Sequence, residues 1–243
     1  MASLLRRLKN RLFLNSSRIH LDRYNQEFAQ SMTPGGRVLD AGAGQAPYKK
    51  YFQHLQYESA DFEKVDKPYA KSTYVCDLCE HIPVEDGRFN YIVFNQVMEH
   101  LKEPADALSE LHRVLAPGGR ILCTVPLFYE EHEQPFDFFR YTQFAHKYLF
   151  SDAGFDVERI EWLEGFFGTC GYMFEVTNLY LPTKFRGSIG IAVLATPFLF
   201  GVKMLSLFAA AVLYRLDLRW KVTHCGFPKN YVIVARKPEA ASA

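Results

Sequence analysis

The stretch Val38-Leu39-Asp40-Ala41-Gly42-Ala43-Gly44-Gln45-Ala46 constrains this chain more than any other. A short buried-strand pattern, Arg37–Asp40, runs directly into a turn with glycines at 42 and 44. Such a turn can bend sharply and bring bare backbone against a ligand, because neither glycine carries a Cβ. In a doubly wound sheet it lies at the carboxyl edge of the first strand, where ligands bind. A Gly-x-Gly alone recurs by chance, and three acids give this one its context. Asp40 closes the first strand. Asp61 comes about twenty residues later, after a weaker strand pattern at Tyr57–Ala60, where an acid can accept hydrogen bonds from ribose hydroxyls. Asp77 follows a third run at Ser72–Val75. Any one of them reads as an ordinary turn aspartate. Placed in order at successive strand ends, they point into one crevice.

The rest of the chain keeps alternating. Tyr91–Asn95 is an apolar strand, and Pro104–Leu115 has helical spacing at Ala107, Leu108, Leu111 and Leu115. Pro117-Gly118-Gly119 breaks that helix before a buried strand at Arg120–Val125. Gln143–Ala153 reads as a helix ending at Gly154, Phe155–Trp162 as a strand, and Tyr231–Arg236 as a strong final strand. This order predicts an α/β fold with a mostly parallel sheet and helices on both faces. With 243 residues, 49% of them apolar, the chain has enough material for one well-buried domain and too little for two large ones. A net charge of +1 steers nothing toward nucleic acid. Five cysteines at 76, 79, 123, 170 and 225 lack the spacing of a disulfide framework. Cys76 and Cys79 have no second ligand pair for zinc and read as ordinary thiols. No metal site and no secretory leader are expected.

Taken together, these motifs resemble the class I methyltransferases that use S-adenosylmethionine (SAM), in particular their small-molecule branch. Val38–Gly44 matches that family's first motif, and Cys76-Asp77-Leu78 resembles the motif whose acid reads the adenine amino group. Phe89-Asn90-Tyr91-Ile92-Val93-Phe94-Asn95-Gln96-Val97-Met98-Glu99-His100-Leu101 resembles the fourth-strand motif, and Leu111–Gly119 the helix and turn before the fifth strand. The resemblance implies a Rossmann-like sheet of seven strands, the last antiparallel, with SAM as the cofactor. It implies that Asp40, Gly42 and Gly44 flank the methionine part, that Asp61 holds the ribose, that Asp77 and Leu78 hold the adenine, and that Asn95 sits near the sulfonium. Ala46 stands where many members have a third glycine. That departure, with Pro47 next to it, also disfavours a nicotinamide enzyme, whose loop must hold a pyrophosphate.

Methyl transfer is an in-line displacement, so the protein must align an acceptor and exclude water. The loop after the fifth strand, Pro126–Thr142, gathers acids, a histidine, an arginine and aromatics. His132 is the candidate general base. Asp137 is placed to orient it or bind a hydroxyl, and Arg140 to grip a carboxylate or phosphate. The competing reading for Asp137 and Arg140 is a salt bridge that braces the loop, and for His132 a structural role. The pattern Pro135-x-Asp137-x-x-Arg140-x-Thr142 resembles bacterial members near glycan and lipid biosynthesis. His100 and His112 read as structural.

Two segments suggest a membrane. Residues 1–14 form a basic amphipathic helix pattern, with Leu4, Leu5, Leu8 and Leu12 on one arc. Ile189–Tyr214 is an apolar run interrupted by Pro197 and Lys203. A single crossing would strand the final β-strand on the wrong side. The run therefore reads as two shorter helices, either a hairpin in the membrane interface or a pair that caps the site or forms a dimer interface. The expected organisation is a basic segment at 1–24 and a SAM domain at 25–243 with a helical insert at 187–216. The expected function is methyl transfer to a lipid-linked or glycan acceptor by a cytoplasmic protein, peripheral on the inner membrane face. A soluble small-molecule acceptor, or a non-catalytic SAM-fold partner protein, are the rivals.

Overall fold

A computed structural model describes residues 15–182 and 189–239. The basic segment at 1–14 lies outside them. Two compact units emerge: Leu21–Leu163 with the chain from Asn230 onward, and Glu164–Lys229 with the residues through His20.

The first unit is built on seven strands: β1 (Arg37–Ala41), β2 (Gln56–Asp61), β3 (Tyr74–Val75), β4 (Phe89–Asn95), β5 (Leu115–Pro126), β6 (Asp156–Trp162) and β7 (Asn230–Arg236). Their spatial order is β3-β2-β1-β4-β5-β7-β6. Pairings from β3 to β5 are parallel, and β7 runs antiparallel to both β5 and β6. The expected sheet, including its antiparallel last strand, is the observed one.

Alternation along each strand explains two apolar faces. Leu39, Ile92, Phe94, Ile121, Cys123 and Ile233 face one core. There they meet Ala107, Leu108 and Leu111 of helix α2 (Pro104–Val114). Val38, Val93, Leu122, Val232 and Val234 face the other, against Leu21, Tyr24 and Phe28 of helix α1 (Ser16–Gln30). Helix α2 already ends at Val114, so Pro117-Gly118-Gly119, expected to break it, lies within the following strand, which starts earlier than expected. Strand β5 begins at Leu115, directly after α2, and pairs with β4 there through a register shift between Phe89 and Tyr91.

Helix α3 (Gln143–Asp152) starts at Thr142, whose hydroxyl accepts from the Ala145 N–H. It buries His146 between the rings of Tyr141 and Tyr231, and neither ring nitrogen has a partner among the described residues. Burial lowers the His146 pKa to about 4. The unfolded chain protonates near pH 6.5, so stability is lost as pH falls from about 6.5 through about 4. His146→Leu should remove roughly 3 kcal/mol of that acid-side loss. Urea unfolding of both proteins at pH 7 and pH 4 checks this; parallel pH curves would refute it.

The second unit contains helices α4 (Phe166–Tyr180) and α5 (Ile189–Trp220), packed against each other. The expected break at Pro197 and Lys203 does not occur, and α5 is one helix through both. A proline removes one backbone hydrogen bond, and the flanking turns hold. Lys203 is consumed elsewhere: its Nζ donates to the Asn178 and Leu181 carbonyls at 2.7 and 2.6 Å, satisfying the carboxyl end of α4. The hairpin is therefore made by α4 with α5, and the helical unit is larger than the 187–216 stretch. Close packing of the pair rests on Gly171, where a Cβ would sit 2.8 Å from the Tyr214 ring.

Candidate functional site

At the carboxyl edge of β1 the chain turns with Gly42 at φ +73 and Gly44 at φ +53. The Gly42 N–H donates to the Ala60 carbonyl at 2.8 Å, which ties the turn to the end of β2. A Cβ on Gly42 would come within 2.3 Å of Val97 Cγ2. Asp61 ends β2 and accepts from the Gly44 N–H at 2.7 Å and the Glu63 N–H at 3.1 Å. Ala46, in place of the usual glycine, keeps a left-handed backbone at φ 50.

These elements wall a cavity of about 390 Å³, within the range that small ligands and cofactors occupy. Gly42, Asp61, Asp77 and Leu78 line it, as the motifs imply. Phe62, Val97, Leu101, Phe136 and Phe138 supply apolar surface, and five carboxylates (Asp61, Asp77, Glu80, Glu103, Glu133) outnumber two lysines (Lys67, Lys102). An acid-rich wall suits a cationic sulfonium, and the bare backbone at Gly42 suits close approach of the cofactor. The residues present thus fit SAM, which supplies an electrophilic methyl group. Asp61 would hold the ribose, and Asp77 with Leu78 the adenine.

Other expected cofactor residues stand behind this wall. Asp40 is buried and accepts from the Tyr57 hydroxyl at 2.5 Å; burial pushes its carboxyl up to about 6. Asn95 is engaged with Asn25 and Thr124, its Oδ1 accepting from Thr124 Oγ1 at 3.0 Å and its Nδ2 donating to Asn25 Oδ1 at 2.9 Å. Its neighbour Gln96, at φ 56, lines the cavity in its stead.

The loop after β5 folds over the Met98–His100 turn, whose Glu99 carbonyl accepts from Phe138 N–H at 2.9 Å. Arg140 grips Asp137 with two nitrogens, at 2.6 and 2.8 Å. The Arg140 guanidinium holds the Asp137 carboxyl below the ordinary carboxylate range. Asp137 Oδ2 also accepts from the His132 N–H at 2.9 Å. Asp137, Arg140 and His132 are thus brought together, but as a brace within the loop. The residues of this region that line the cavity are His100, Glu133, Phe136 and Phe138. Glu133 accepts from Lys67 Nζ at 2.6 Å, an ion pair that joins the two loops across the cavity. Buried Glu99, at the base of this loop, has its carboxyl pushed up to about 8. Sequence reasoning missed Lys67, Gln96, Glu99 and Glu133, and read His100, which lines the cavity, as structural. Glu99-His100, near the end of the fourth-strand motif, was the available signal.

Strand order, the glycine turn and the acids around it define a class I SAM-dependent methyltransferase domain. A sequence profile described as a methyltransferase domain matches residues 3–162, and the chain belongs to that family. The chain is 29% identical over 108 residues to the ubiquinone/menaquinone biosynthesis C-methyltransferase UbiE of Desulfotalea psychrophila, an alignment that covers 39% of this chain and 44% of that one. It thus spans less than half of that relative's length. The fold is shared with the [4+2]-cyclase SpnF (TM-score 0.56, 19% identity, 90% of this chain and 82% of the other). It is also shared with Haemonchus contortus phosphoethanolamine N-methyltransferase 2 bound to S-adenosylhomocysteine (TM-score 0.52, 18% identity, 90% and 52%). A cyclase on the same fold underlines that the reaction must be argued from the site.

Proposed function

We propose that this chain transfers the methyl group of SAM to a lipid-linked or glycan acceptor at the cytoplasmic face of a membrane. The observation that carries the membrane part is the surface of α5. Phe198, Phe200, Met204, Leu205 and Phe208 are all exposed there, and Ala195–Trp220 is long and apolar enough to cross a bilayer. Contiguous exposed apolar surface of this kind marks a membrane or protein contact. Strand β7, which follows α5, pairs with β5 and β6, which precede it. The chain thus leaves the sheet after β6 and rejoins it at β7, so the helices between enter and leave on one side, which favours a pair lying in the interface over a single crossing. The basic pattern at residues 1–14 adds attraction to anionic headgroups. The Phe62, Phe136 and Phe138 walls of the cavity favour an acceptor with an apolar portion. UbiE, the relative named above, acts in ubiquinone/menaquinone biosynthesis, which is consistent with a lipid-soluble acceptor.

Flotation with phosphatidylglycerol vesicles tests the surface. The protein should float with them, and Leu205→Glu combined with Phe208→Glu should abolish flotation while leaving S-adenosylhomocysteine binding intact. Incubation with radiolabelled SAM and a bacterial membrane extract tests the acceptor: label should enter the organic phase. A protein that stays in solution and labels water-soluble molecules would return the soluble small-molecule reading.

A further inference from the structure

Three side chains beside the cofactor cavity, Glu99, His100 and His132, bring potential ligand atoms together. Glu99 is completely buried, and neither of its carboxylate oxygens has a hydrogen-bond partner among the described residues. Its Oε1 lies 3.8 Å from His100 Nε2. The other nitrogen of His100, Nδ1, lies 2.5 Å from the Phe136 carbonyl. A carbonyl only accepts, so Nδ1 carries a proton, and in the neutral imidazole Nε2 presents a lone pair. With Glu99 ionised, two acceptors face each other. His132 repeats the pattern: its Nδ1 is 3.2 Å from the Glu130 carbonyl and 3.3 Å from Asp137 Oδ2. Its proton is also on Nδ1. The His132 and His100 rings meet edge to face with centroids 4.7 Å apart. One potential ligand atom from each of Glu99, His100 and His132 lies within 4.8 Å of the others.

We propose that Glu99, His100 and His132 bind a divalent transition-metal ion of the zinc class beside the SAM cavity. A buried carboxylate without a partner is costly, and a bound cation removes that cost. Two imidazoles and a carboxylate are a set that zinc accepts with a fourth position left open. Donor atoms around tetrahedral zinc stand about 3.3 Å apart, so the three side chains draw together by about 1 Å on loading. The outer contacts fit the same purpose. The Phe136 and Glu130 carbonyls and Asp137 hold the Nδ1 protons and so aim both rings, and Arg140 fixes Asp137. Asp137 and Arg140 thereby become positioning residues for a metal ligand. His100 also lines the cavity, so an acceptor hydroxyl there has access to the open position, where coordination would acidify it. That last role rests on the methyl-transfer reading; metal binding does not.

The test uses tag-free protein stripped with a chelator. Zn²⁺ is titrated by calorimetry and Co²⁺ by visible absorption, with S-adenosylhomocysteine titrated in parallel. The expected result is a single site of micromolar or tighter affinity with a tetrahedral Co²⁺ spectrum. Glu99→Gln and His132→Ala should each weaken it about 100-fold, and Asp137→Asn about 10-fold, with S-adenosylhomocysteine affinity unchanged. Wild-type protein that binds S-adenosylhomocysteine but takes up no metal would overturn the proposal and assign a proton between Glu99 and His100 Nε2. Equal uptake by wild type, Glu99→Gln and His132→Ala would overturn it too. Metal binding without S-adenosylhomocysteine binding would uphold this site while sinking the cofactor reading.

Discussion

Replacing Gly42 with valine is expected to weaken S-adenosylhomocysteine binding about 100-fold or more, in a protein that still folds. Two costs act at one position. The backbone stands at φ +73, which disfavours any residue with a Cβ by about 1–2 kcal/mol. The new Cβ would also fall 2.3 and 2.6 Å from the two Cγ atoms of Val97, and overpacking of this kind costs about 1–3 kcal/mol. Val97 is β-branched and stiff at χ1, and it lines the cavity itself, so yielding to the new side chain narrows the cofactor's space. Together the costs approach 3 kcal/mol, or about two decades in affinity. The two contributions separate in a cycle. Gly42→Ala should bind poorly, and adding Val97→Ala should recover the steric part and leave the backbone part. Calorimetry reads both. Undiminished binding by Gly42→Val would mean that this turn does not hold the cofactor.

The second large effect is expected from Asp61→Ala. Its carboxylate makes two hydrogen bonds: Oδ2 accepts from the Gly44 N–H at 2.7 Å and Oδ1 from the Glu63 N–H at 3.1 Å. Hydrogen bonds to a charged group contribute about 1.5–3 kcal/mol each. Alanine removes the anchor of the glycine turn and also the acceptor that the family pattern gives to the ribose. A loss of about 100- to 1000-fold in S-adenosylhomocysteine affinity is expected. Asp61→Asn keeps one oxygen and should fall between wild type and alanine. If Asp61→Ala instead binds as tightly as wild type, the acid after β2 is a turn residue and nothing more.

The recognisable parts of this protein are those whose chemistry is local. Short continuous apolar runs marked β1, β4, β5 and β7, because strands covered on both faces need apolar side chains at successive positions. The Gly42–Gly44 turn and the acids Asp61 and Asp77 were legible because strand ends in a parallel sheet share one edge. Helices α1 and α4 passed unnoticed. Helix α4 is mostly apolar, and the buried face of α1 mixes Ser16, Ser17, His20 and Asn25 with Leu21, Tyr24 and Phe28, so the contrast between faces is weak in sequence. Pro197 and Lys203 looked like interruptions in sequence, and only the packing of α5 on α4 gave Lys203 its carbonyl partners.

The acceptor side depended still more on tertiary contacts. Sequence named His132, Asp137 and Arg140 from their residue types, and its motifs, through the family they resemble, indicated the fold and the cofactor. It could not say that Arg140 and Asp137 would satisfy each other, nor that the loop would dock on the Glu99 carbonyl. Docking carries the Phe136 carbonyl to His100 and His132 to Glu99, residues more than thirty positions apart in the chain. Which lone pairs are left facing one another is decided by those long-range hydrogen bonds, and no pattern of neighbouring residues encodes them.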